Sequence, residues 1–477
     1  MDLTSRQIYS LSAPTKELLQ NLKDPVHITA YFSTAFPPES RENLTKLYVE
    51  NSLKDMKAYG GKNIILHFVD PKTDPEKKNE AEKAGIAPLQ LNTIKNDAFS
   101  LEVGYLGIVI SYEDKKEVIP YFANSLSPEY ELSTRIRKMT SKDLPAIGII
   151  EGYGVPPLQR ADQNSSSMEL LAKEIANSYT LTPIKLQEVS EIPKTISTLL
   201  LTGISEDISE EKIKVLETFM ESGHNMVIAQ NFQKLSLEKG IQLTPINMPR
   251  LDEFLKKYGV EIASGTIVDT PGKQIPVALQ QGNMMIQKII DFPLIPVLIK
   301  IPDTLLTKGV QSITIPFSSP LSSSDKKLLP LLTTTSRAQT FSGTGPINPL
   351  ESKSLFTTGS GTTLTYALMG ALAPKENKKR IFALGSSTCL DDQIMQTIQD
   401  RSCLDLVMNA IDWTVQDSNL MEVRNKVSED RPLTPTTTEE KLFYKVLALG
   451  LPGILVLLVG ISRLVLRNRR MKRIYKA

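Results

Sequence analysis

Buried strands alternate with amphipathic helices between residues 146 and 230, and this alternation constrains the fold more than any other feature. The apolar strand AIGIIEGYG (146–154) runs into glycines and is followed by the helix MELLAKEIANSY (168–179). Two further buried strands are TISTLLLTGI (195–204) and NMVIAQ (225–230). Strands and helices in turn are typical of a doubly wound, mostly parallel sheet. The sequence therefore predicts an α/β protein.

The helix between the last two of these strands is predicted from its ends. Ser209 stands at the N-cap position, and Glu210 and Glu211 fall in the first turn, where the helix dipole favours anions. Gly223 follows the last apolar residue and ends the helix.

The N-terminal part reads as a smaller α/β unit. VHITAYFS (26–33) and NIILHFVDP (63–71) are strands, and LGIVISYEDKKEVIPYF (106–122) is a hairpin. Apolar residues recur at helical spacing between positions 41 and 59, so a helix is predicted between the two strands. The order strand, helix, strand, helix, hairpin predicts a parallel core with antiparallel strands added, as in a thioredoxin-like layout. The cysteine pair of a redox enzyme is missing, which argues against a disulfide oxidoreductase.

The pattern becomes irregular beyond residue 250. QIPVALQ (274–280) and MMIQKIIDFPLIPVLI (284–299) contain prolines and predict short or edge strands. Residues 316–366 are rich in Ser, Thr, Pro and Gly and predict a loop-rich insertion, after which RIFALGSS (380–387) restores a buried strand. The predicted divisions are an N-terminal α/β domain at 1–142, a second α/β domain at 143–425 with an insertion at about 270–370, and a Pro/Thr-rich stalk at 426–441.

The last part of the chain predicts a membrane anchor. LFYKVLALGLPGILVLLVGIS (442–462) is long enough to span a hydrocarbon core of about 30 Å, so we predict a transmembrane helix at 442–466. The tail at 467–477 is basic, which predicts a cytoplasmic C-terminus and places residues 1–441 outside the cytoplasm. Residues 1–19 lack the apolar segment of a signal peptide. Either a helix upstream of this start is missing, which we expect, or the large domain is cytoplasmic and the last helix crosses outward against the charge rule.

Composition excludes several kinds of site. The 477 residues carry a net charge of +2, and the segment from Arg463 onward supplies seven positive charges, so the rest of the chain is slightly acidic, which argues against a nucleic-acid surface. The three histidines, His27, His67 and His224, are far apart, and no CxxC occurs, so we predict no metal and no cofactor. The sequence does not exclude one disulfide between Cys389 and Cys403. GxxxxGK[ST] and GxSxG are absent, so the chain is not itself an ATPase.

Three motifs are candidates for chemistry, and none predicts an active site. Gly152-Tyr153-Gly154 lacks the third glycine of GxGxxG, and PPLQRADQNSSS separates it from the next helix, so a plain turn is favoured. Cys389 follows a strand in GSSTCLDD, but no histidine follows residue 224 to act as its base. Asp391-Asp392 are most simply loop acids, and Asp70 marks the turn at the end of a strand. No catalytic residue is predicted.

Several segments together resemble one family, the GldG-like auxiliary proteins of ABC-type transport systems known from gliding motility. The segments are DLTSRQIYSLSAPTKELLQNL (2–22), EYELSTRIRKM (129–139), IGIIEGYG (147–154), FLKKYGVEIASGTIVD (254–269), TTTSRAQ (333–339) and NAIDW (409–413). The resemblance implies a domain similar to the class I glutamine amidotransferase fold from residue 144, without its Cys-His-Glu machinery. Members often carry GDSDF where this chain has GSSTC (385–389), which puts a ligand role of that loop in doubt.

The resemblance implies a non-catalytic, membrane-anchored subunit of an export or gliding-motility complex in the bacterial inner membrane. Expected partners are an ABC permease, a separate ATP-binding subunit and membrane lipid, with an external protein or polymer as substrate. A related module in a eukaryotic intraflagellar-transport subunit is a scaffold, which favours binding over catalysis. The alternatives are an envelope amidotransferase-like hydrolase that uses Cys389, and an envelope sensor or ligand-binding module.

Overall fold

A computed structural model describes most of residues 11–415, together with Arg463. The gaps within this range are residues 35, 37–39, 73, 96–97, 123–127, 142, 163–164, 238–239, 282–283, 300, 303, 305, 308–309, 311, 323–328, 344, 357–366 and 373–378.

The N-terminal part is built on a four-stranded sheet. Its elements in chain order are α1 (Ala13–Gln20), β1 (Val26–Phe32), α2 (Arg41–Gly60), β2 (Ile64–Val69), α3 (Pro75–Lys83), β3 (Leu89–Lys95), β4 (Ala98–Gly104), β5 (Leu106–Tyr112), β6 (Lys115–Ile119) and α4 (Pro128–Thr140). The sheet order is β2-β1-β5-β6, with β1 parallel to β2 and the β5–β6 hairpin antiparallel to β1. The predicted parallel core with added antiparallel strands is confirmed.

Helix α2 covers this sheet because its buried residues recur at helical spacing. Val49, Leu53 and Met56 are fully buried and pack in one core with Ile28 of β1 and Ile108 of β5. A stripe with this spacing forms one face of a helix, which can then pack on the apolar face of a sheet.

The second part contains the larger sheet. Its first elements are β7 (Ala146–Glu151), α5 (Glu169–Ser178), β8 (Thr180–Lys185), β9 (Ile196–Thr202), α6 (Glu210–Glu221), β10 (Asn225–Ala229), β11 (Gln233–Ser236), β12 (Ile241–Pro245), α7 (Pro249–Lys257), β13 (Glu261–Ile262) and β14 (Thr266–Val268). The remaining elements are β15 (Gly272–Gln281), β16 (Met284–Leu298), β17 (Ile313–Thr314), β18 (Leu321–Ser322), β19 (Leu329–Thr333), β20 (Gln339–Phe341), β21 (Gly345–Ile347), β22 (Ala367–Leu372), β23 (Ile381–Leu384), α8 (Asp392–Ile398) and α9 (Ser402–Thr414), with 3-10 turns at Gly61–Asn63, Pro349–Phe356 and Thr388–Leu390.

Five parallel strands form one side of the larger sheet, with β8 at its edge. The sheet order is β13-β18-β22-β23-β10-β9-β7-β8, and β19 also pairs with β22. Strands β8, β7, β9, β10 and β23 run parallel, whereas β22 is antiparallel to β23. Taken in chain order, the parallel strands follow the doubly wound sequence 2-1-3-4-5, so the winding direction reverses between β7 and β9.

Each face of this sheet has its own apolar core. On one face Ile149, Val227 and Phe382 pack with α5 and α9, and on the other Leu199 and Ile228 pack with α6 and α7. Burial on both faces explains why these strands read as continuous apolar runs. The predicted N-cap of α6 is confirmed at Ser209, although the Ser209 side chain makes no capping hydrogen bond.

The two segments predicted as short or edge strands form one hairpin. Strands β15 and β16 pair as a long antiparallel hairpin of 10 and 15 residues, so they are not short, whereas β15 does lie at the edge of the sheet β15-β16-β17 in the described part of the chain. The ladder shifts register between Gly272 and Lys273, opposite Pro296 and Phe292. The prolines of β16 therefore lie beside this irregularity, where a missing N–H does not interrupt the ladder.

The fold prediction requires one correction, at its last element. No helix in the described part of the chain is both long enough and apolar enough to cross a membrane. The segment 442–466 lies outside the described residues except for Arg463, as do the stalk at 426–441 and the tail at 467–477. The protein is mixed α/β, and the predicted transmembrane helix is not supported.

A cleft at the ends of the parallel strands

A cleft of about 660 Å³ lies at the carboxyl ends of the parallel strands. Its walls come from the segments that follow β7, β9, β10 and β23, together with β11. Doubly wound sheets bind ligands where the winding direction reverses, outside the carboxyl ends of the strands. The volume is also within the range of about 300–1,000 Å³ that is usual for small-molecule sites. The cleft is therefore the candidate binding site of this fold.

The GYG motif shapes the cleft by close backbone approach. Gly152, Tyr153 and Gly154 have φ values of 91°, 50° and 75°, in the left-handed region that glycine adopts at least cost. The carbonyl of Tyr153 accepts hydrogen bonds from the amides of Ser205 at 2.9 Å and Glu206 at 3.1 Å. A Cβ on Gly154 would lie 2.0 Å from the Ser205 Oγ atom. The motif joins the segments after β7 and β9.

Two amides after β10 join the remaining walls. The side chain of Gln230 accepts a hydrogen bond from the Ile204 amide at 2.9 Å and donates to the Ile204 carbonyl at 2.7 Å. Asn231 accepts at Oδ1 from the Ser387 hydroxyl at 2.6 Å and donates to the Gln233 carbonyl at 2.8 Å. Buried amides satisfied in this way fix the spacing of the loops.

Asp392 occupies the start of α5, where ligand phosphates bind in many doubly wound proteins. Its carboxylate accepts hydrogen bonds from the Ser167 hydroxyl at 2.5 Å and from the amides of Glu169 at 2.8 Å and Leu170 at 3.1 Å. Arg160 Nη2 lies 3.4 Å from the same carboxylate. Free N–H groups at a helix start attract anions, but here a side chain of the protein fills that site. Asp392 is a buried cap and not a loop acid.

The neighbouring Asp391 faces the cleft and caps α8. It accepts at Oδ1 from the Gln393 amide at 2.8 Å, and the Ser166 hydroxyl donates to its other oxygen. Burial raises the pKa of Asp391 and the adjacent Asp392 carboxylate adds to this, against the hydrogen bonds that favour the ionised form. Ser166, Ser167 and Arg160 all come from PPLQRADQNSSS, so the segment that separates GYG from α5 builds one wall.

The candidate cysteine does not present a thiol. Cys389 is 1% exposed and forms a disulfide with Cys403, so neither residue is available as a nucleophile. His224, the histidine nearest to it in sequence, stacks on Phe219 with ring centroids 4.5 Å apart. In the described residues no three His, Cys, Asp or Glu side chains are placed to hold a metal ion together.

Two segments of the family resemblance are joined outside the cleft. β14 pairs with β20, which brings TIVD next to TTTSRAQ. Asp269 is 1% exposed and accepts hydrogen bonds from the Thr335 hydroxyl and, at 2.8 Å, from the Thr335 amide. Asp269 and Thr335 therefore hold these two segments of the insertion together.

NAIDW has a similar structural role in α9. Asn409 donates to the Leu306 carbonyl at 3.0 Å, and Asp412 accepts from the Tyr179 hydroxyl at 2.7 Å. Arg380 lies over the Trp413 ring, 5.2 Å from its centroid.

The fold and the cleft define a doubly wound α/β protein whose candidate site is suited to binding. Residues 144–410 match the family model described as an ABC-type uncharacterized transport system, and this match spans more than half of the chain. The chain belongs to that family of ABC transport-system proteins. Residues 5–111 match a domain of unknown function.

Similar proteins include an uncharacterized protein of Borreliella burgdorferi, which is 25% identical over 423 residues and covers 82% of this chain and 78% of the relative. Among solved structures, the mmIFT52 N-terminal domain aligns at 13% identity and a TM-score of 0.36, over 56% of this chain and 96% of that domain. A putative ThuA-like protein from Bacteroides uniformis aligns at 13% identity and a TM-score of 0.32, over 58% of this chain and 94% of its own. Scores this low carry no argument about function.

Proposed function

We propose that this protein is a non-catalytic auxiliary subunit of an ABC-type transport complex, in which its α/β part binds a permease or an external substrate. The observation that carries the proposal is the family match over residues 144–410. The sequence lacks the Walker A motif GxxxxGK[ST], so a separate ATP-binding subunit supplies the energy. The GldG-like resemblance favours an export or gliding-motility complex.

The proposal places residues 1–441 on the outer side of the bacterial inner membrane. The disulfide between Cys389 and Cys403 supports this location, because disulfides persist in oxidising compartments and are rare in the cytosol. The same bond weakens the alternative of a hydrolase that uses Cys389, which would need a free thiolate. The cleft supports a ligand-binding module as the second candidate, and the two candidates are compatible if the ligand is a partner of the transporter.

The test is purification of the tagged full-length chain from its own cells in mild detergent, with quantitative mass spectrometry. The proposal predicts that an ABC permease and an ATP-binding subunit are recovered in fixed ratio to the chain. As a control, the same tag on an unrelated protein of the same compartment should recover neither. Recovery of the chain without transporter subunits, in repeated preparations and after cross-linking, would contradict the proposal.

A further inference from the structure

Strand β11 forms one wall of the cleft with its edge. Residues 233–237 all line the cleft, although successive side chains of a strand point to opposite faces. Leu235 and Leu237 pack against the apolar core of the insertion, whereas Lys234 is exposed. Consecutive residues line one cavity when the edge of the strand faces it. In the described part of the chain, β11 is the end strand of the sheet β11-β12-β21.

The hydrogen-bond pattern shows which backbone groups face the cleft. The Ile246 amide donates to the Phe232 carbonyl at 3.0 Å, which makes Phe232 a residue bonded to the β12 side. Bonding alternates along an antiparallel strand, so Lys234 and Ser236 also face β12, with Thr244 and Gln242 as their partners. The N–H and C=O of Leu235 therefore point away from β12 and into the cleft.

The two charged side chains that line the cleft, Lys234 and Asp391, have opposite signs, which suits a neutral, extended chain. The anion site at the start of α5 is already filled by Asp392, which argues against a phosphate-bearing ligand. The segments after β7 and β23 line the cleft with the hydroxyls of Ser166 and Thr388, and Met168 and Ile394 add apolar surface. The main chain of an extended peptide can form hydrogen bonds with an exposed strand edge. Small pockets beside that edge then select the side chains of the peptide.

We propose that an extended segment of a partner polypeptide adds a strand to β11 and lies in this cleft. The proposal rests on the proposed function, because it specifies how a subunit of the transport complex would contact its partner or protein substrate. The main-chain groups of Leu235 supply the hydrogen bonds, and the side chains of the segments after β7 and β23 determine which peptide sequences bind.

The test compares Leu235→Pro with Leu235→Ala in the full-length chain. Proline removes the outward N–H and places its ring where the added strand would lie, yet it breaks no bond to β12. Alanine removes the side chain and keeps the N–H. The probe is a displayed library of random linear peptides, selected on the wild-type chain. We expect a selected peptide to bind Leu235→Pro about tenfold more weakly, and Leu235→Ala within about threefold of wild type.

Hydrogen exchange supplies a measurement that does not depend on the folding of a variant. A bound peptide should slow exchange of the Leu235 amide in the wild-type chain and leave the amide of Lys234, already bonded to β12, nearly unchanged. Failure of the library to yield a binder, equal binding to the proline variant, or an unchanged Leu235 amide would overturn the proposal.

A dimer of the wild-type chain that Leu235→Pro makes monomeric would also overturn it, because the added strand would then come from a second copy. If the transporter subunits co-purify with the chain and the peptide experiments fail, strand addition is wrong and the proposed function stands. If the peptide binds as expected but no transporter subunits co-purify with the chain, the proposed function is contradicted and strand addition stands.

Discussion

Single carboxylates hold the cleft in shape, and Asp392 has the most demanding position. It is fully buried and joins the loop after β23 to the start of α5 through three hydrogen bonds. A buried carboxylate is stable only when donors surround it, and Ser167, two amides and Arg160 do so here. From the sequence, Asp391-Asp392 is predicted to be a pair of loop acids. The helix that Asp392 caps begins 223 positions away in the chain, so the cap leaves no local sequence pattern.

Asp392→Asn should destabilise the fold. The amide keeps the shape of the side chain but replaces an acceptor by a donor that faces N–H groups, and it leaves Arg160 without its buried counter-charge. We expect a loss of about 2 kcal/mol in the free energy of unfolding, measured by urea denaturation. Asp114→Asn, at the exposed turn between β5 and β6, is the matched control and should stay within about 0.5 kcal/mol of wild type. Equal stability of the two variants would refute the capping role.

Asp400 predicts a specific dependence of stability on pH. Burial alone would raise its pKa, but hydrogen bonds from Lys273 at 2.7 Å, Ser402 at 2.6 Å and Thr314 at 2.7 Å outweigh burial and hold the pKa below its ordinary value of 3.8. A carboxyl with a lowered folded pKa stabilises the fold above its unfolded pKa, and this contribution is lost as the pH falls through the folded pKa.

Asp400→Asn should therefore be less stable than wild type at neutral pH, and the difference should shrink as the pH falls below 3.8. The measurement is the urea midpoint of both proteins at a series of pH values, each compared with the exposed control Asp114→Asn. A difference that stays constant down to the lowest pH at which both proteins fold would contradict the account.

At the scale of elements, the sequence predicts what depends on periodicity and fails where distant contacts decide. Strands β7, β9 and β10 are recognisable because burial on both faces demands unbroken apolar runs. β8 was not predicted, because an edge position leaves Thr180–Lys185 only half-buried and without a clear period. The sequence does not predict the cleft, because distant contacts form it. Its walls come from β11 and from the segments after four other strands, and the edge of β11 becomes visible only from the strand order.

The disulfide ties the loop after β23 to α9 and should stabilise both. It closes a loop with a sequence separation of 14, and cross-links of about 15 residues contribute about 3 kcal/mol when they restrict the unfolded chain. The double variant Cys389→Ala with Cys403→Ala should lose stability of this order in urea, and wild type unfolded in reducing buffer should match it. Unchanged stability in both experiments would show that the bond does not contribute to the fold.

The same double variant tests the hydrolase alternative. A subunit that acts by binding should still assemble with its partners at temperatures where the variant is folded, whereas an enzyme dependent on the Cys389 thiolate would lose its function completely. Assembly is measured by co-purification of the transporter subunits with the variant and with wild type.

At the scale of the whole molecule, helix α4 joins the two α/β parts. Glu129 accepts hydrogen bonds from the Ser12 amide at 2.7 Å and hydroxyl at 2.6 Å, and the Tyr130 hydroxyl lies 3.2 Å from Ser178 Oγ of α5. Arg135 pairs with Glu117 at 3.4 Å on the N-terminal side. The resemblance segment EYELSTRIRKM thus connects the N-terminal part to α5 of the second part.

The most direct test of the central claim is the reciprocal purification, with the tag on the ATP-binding subunit of the proposed complex. Membership of the ABC transport-system family predicts that this chain and a permease are recovered with it in constant ratio, and that Asp392→Asn lowers the yield only in proportion to the folded fraction. Recovery of a complete permease and ATP-binding complex that never contains this chain, from cells that express it, would contradict the account.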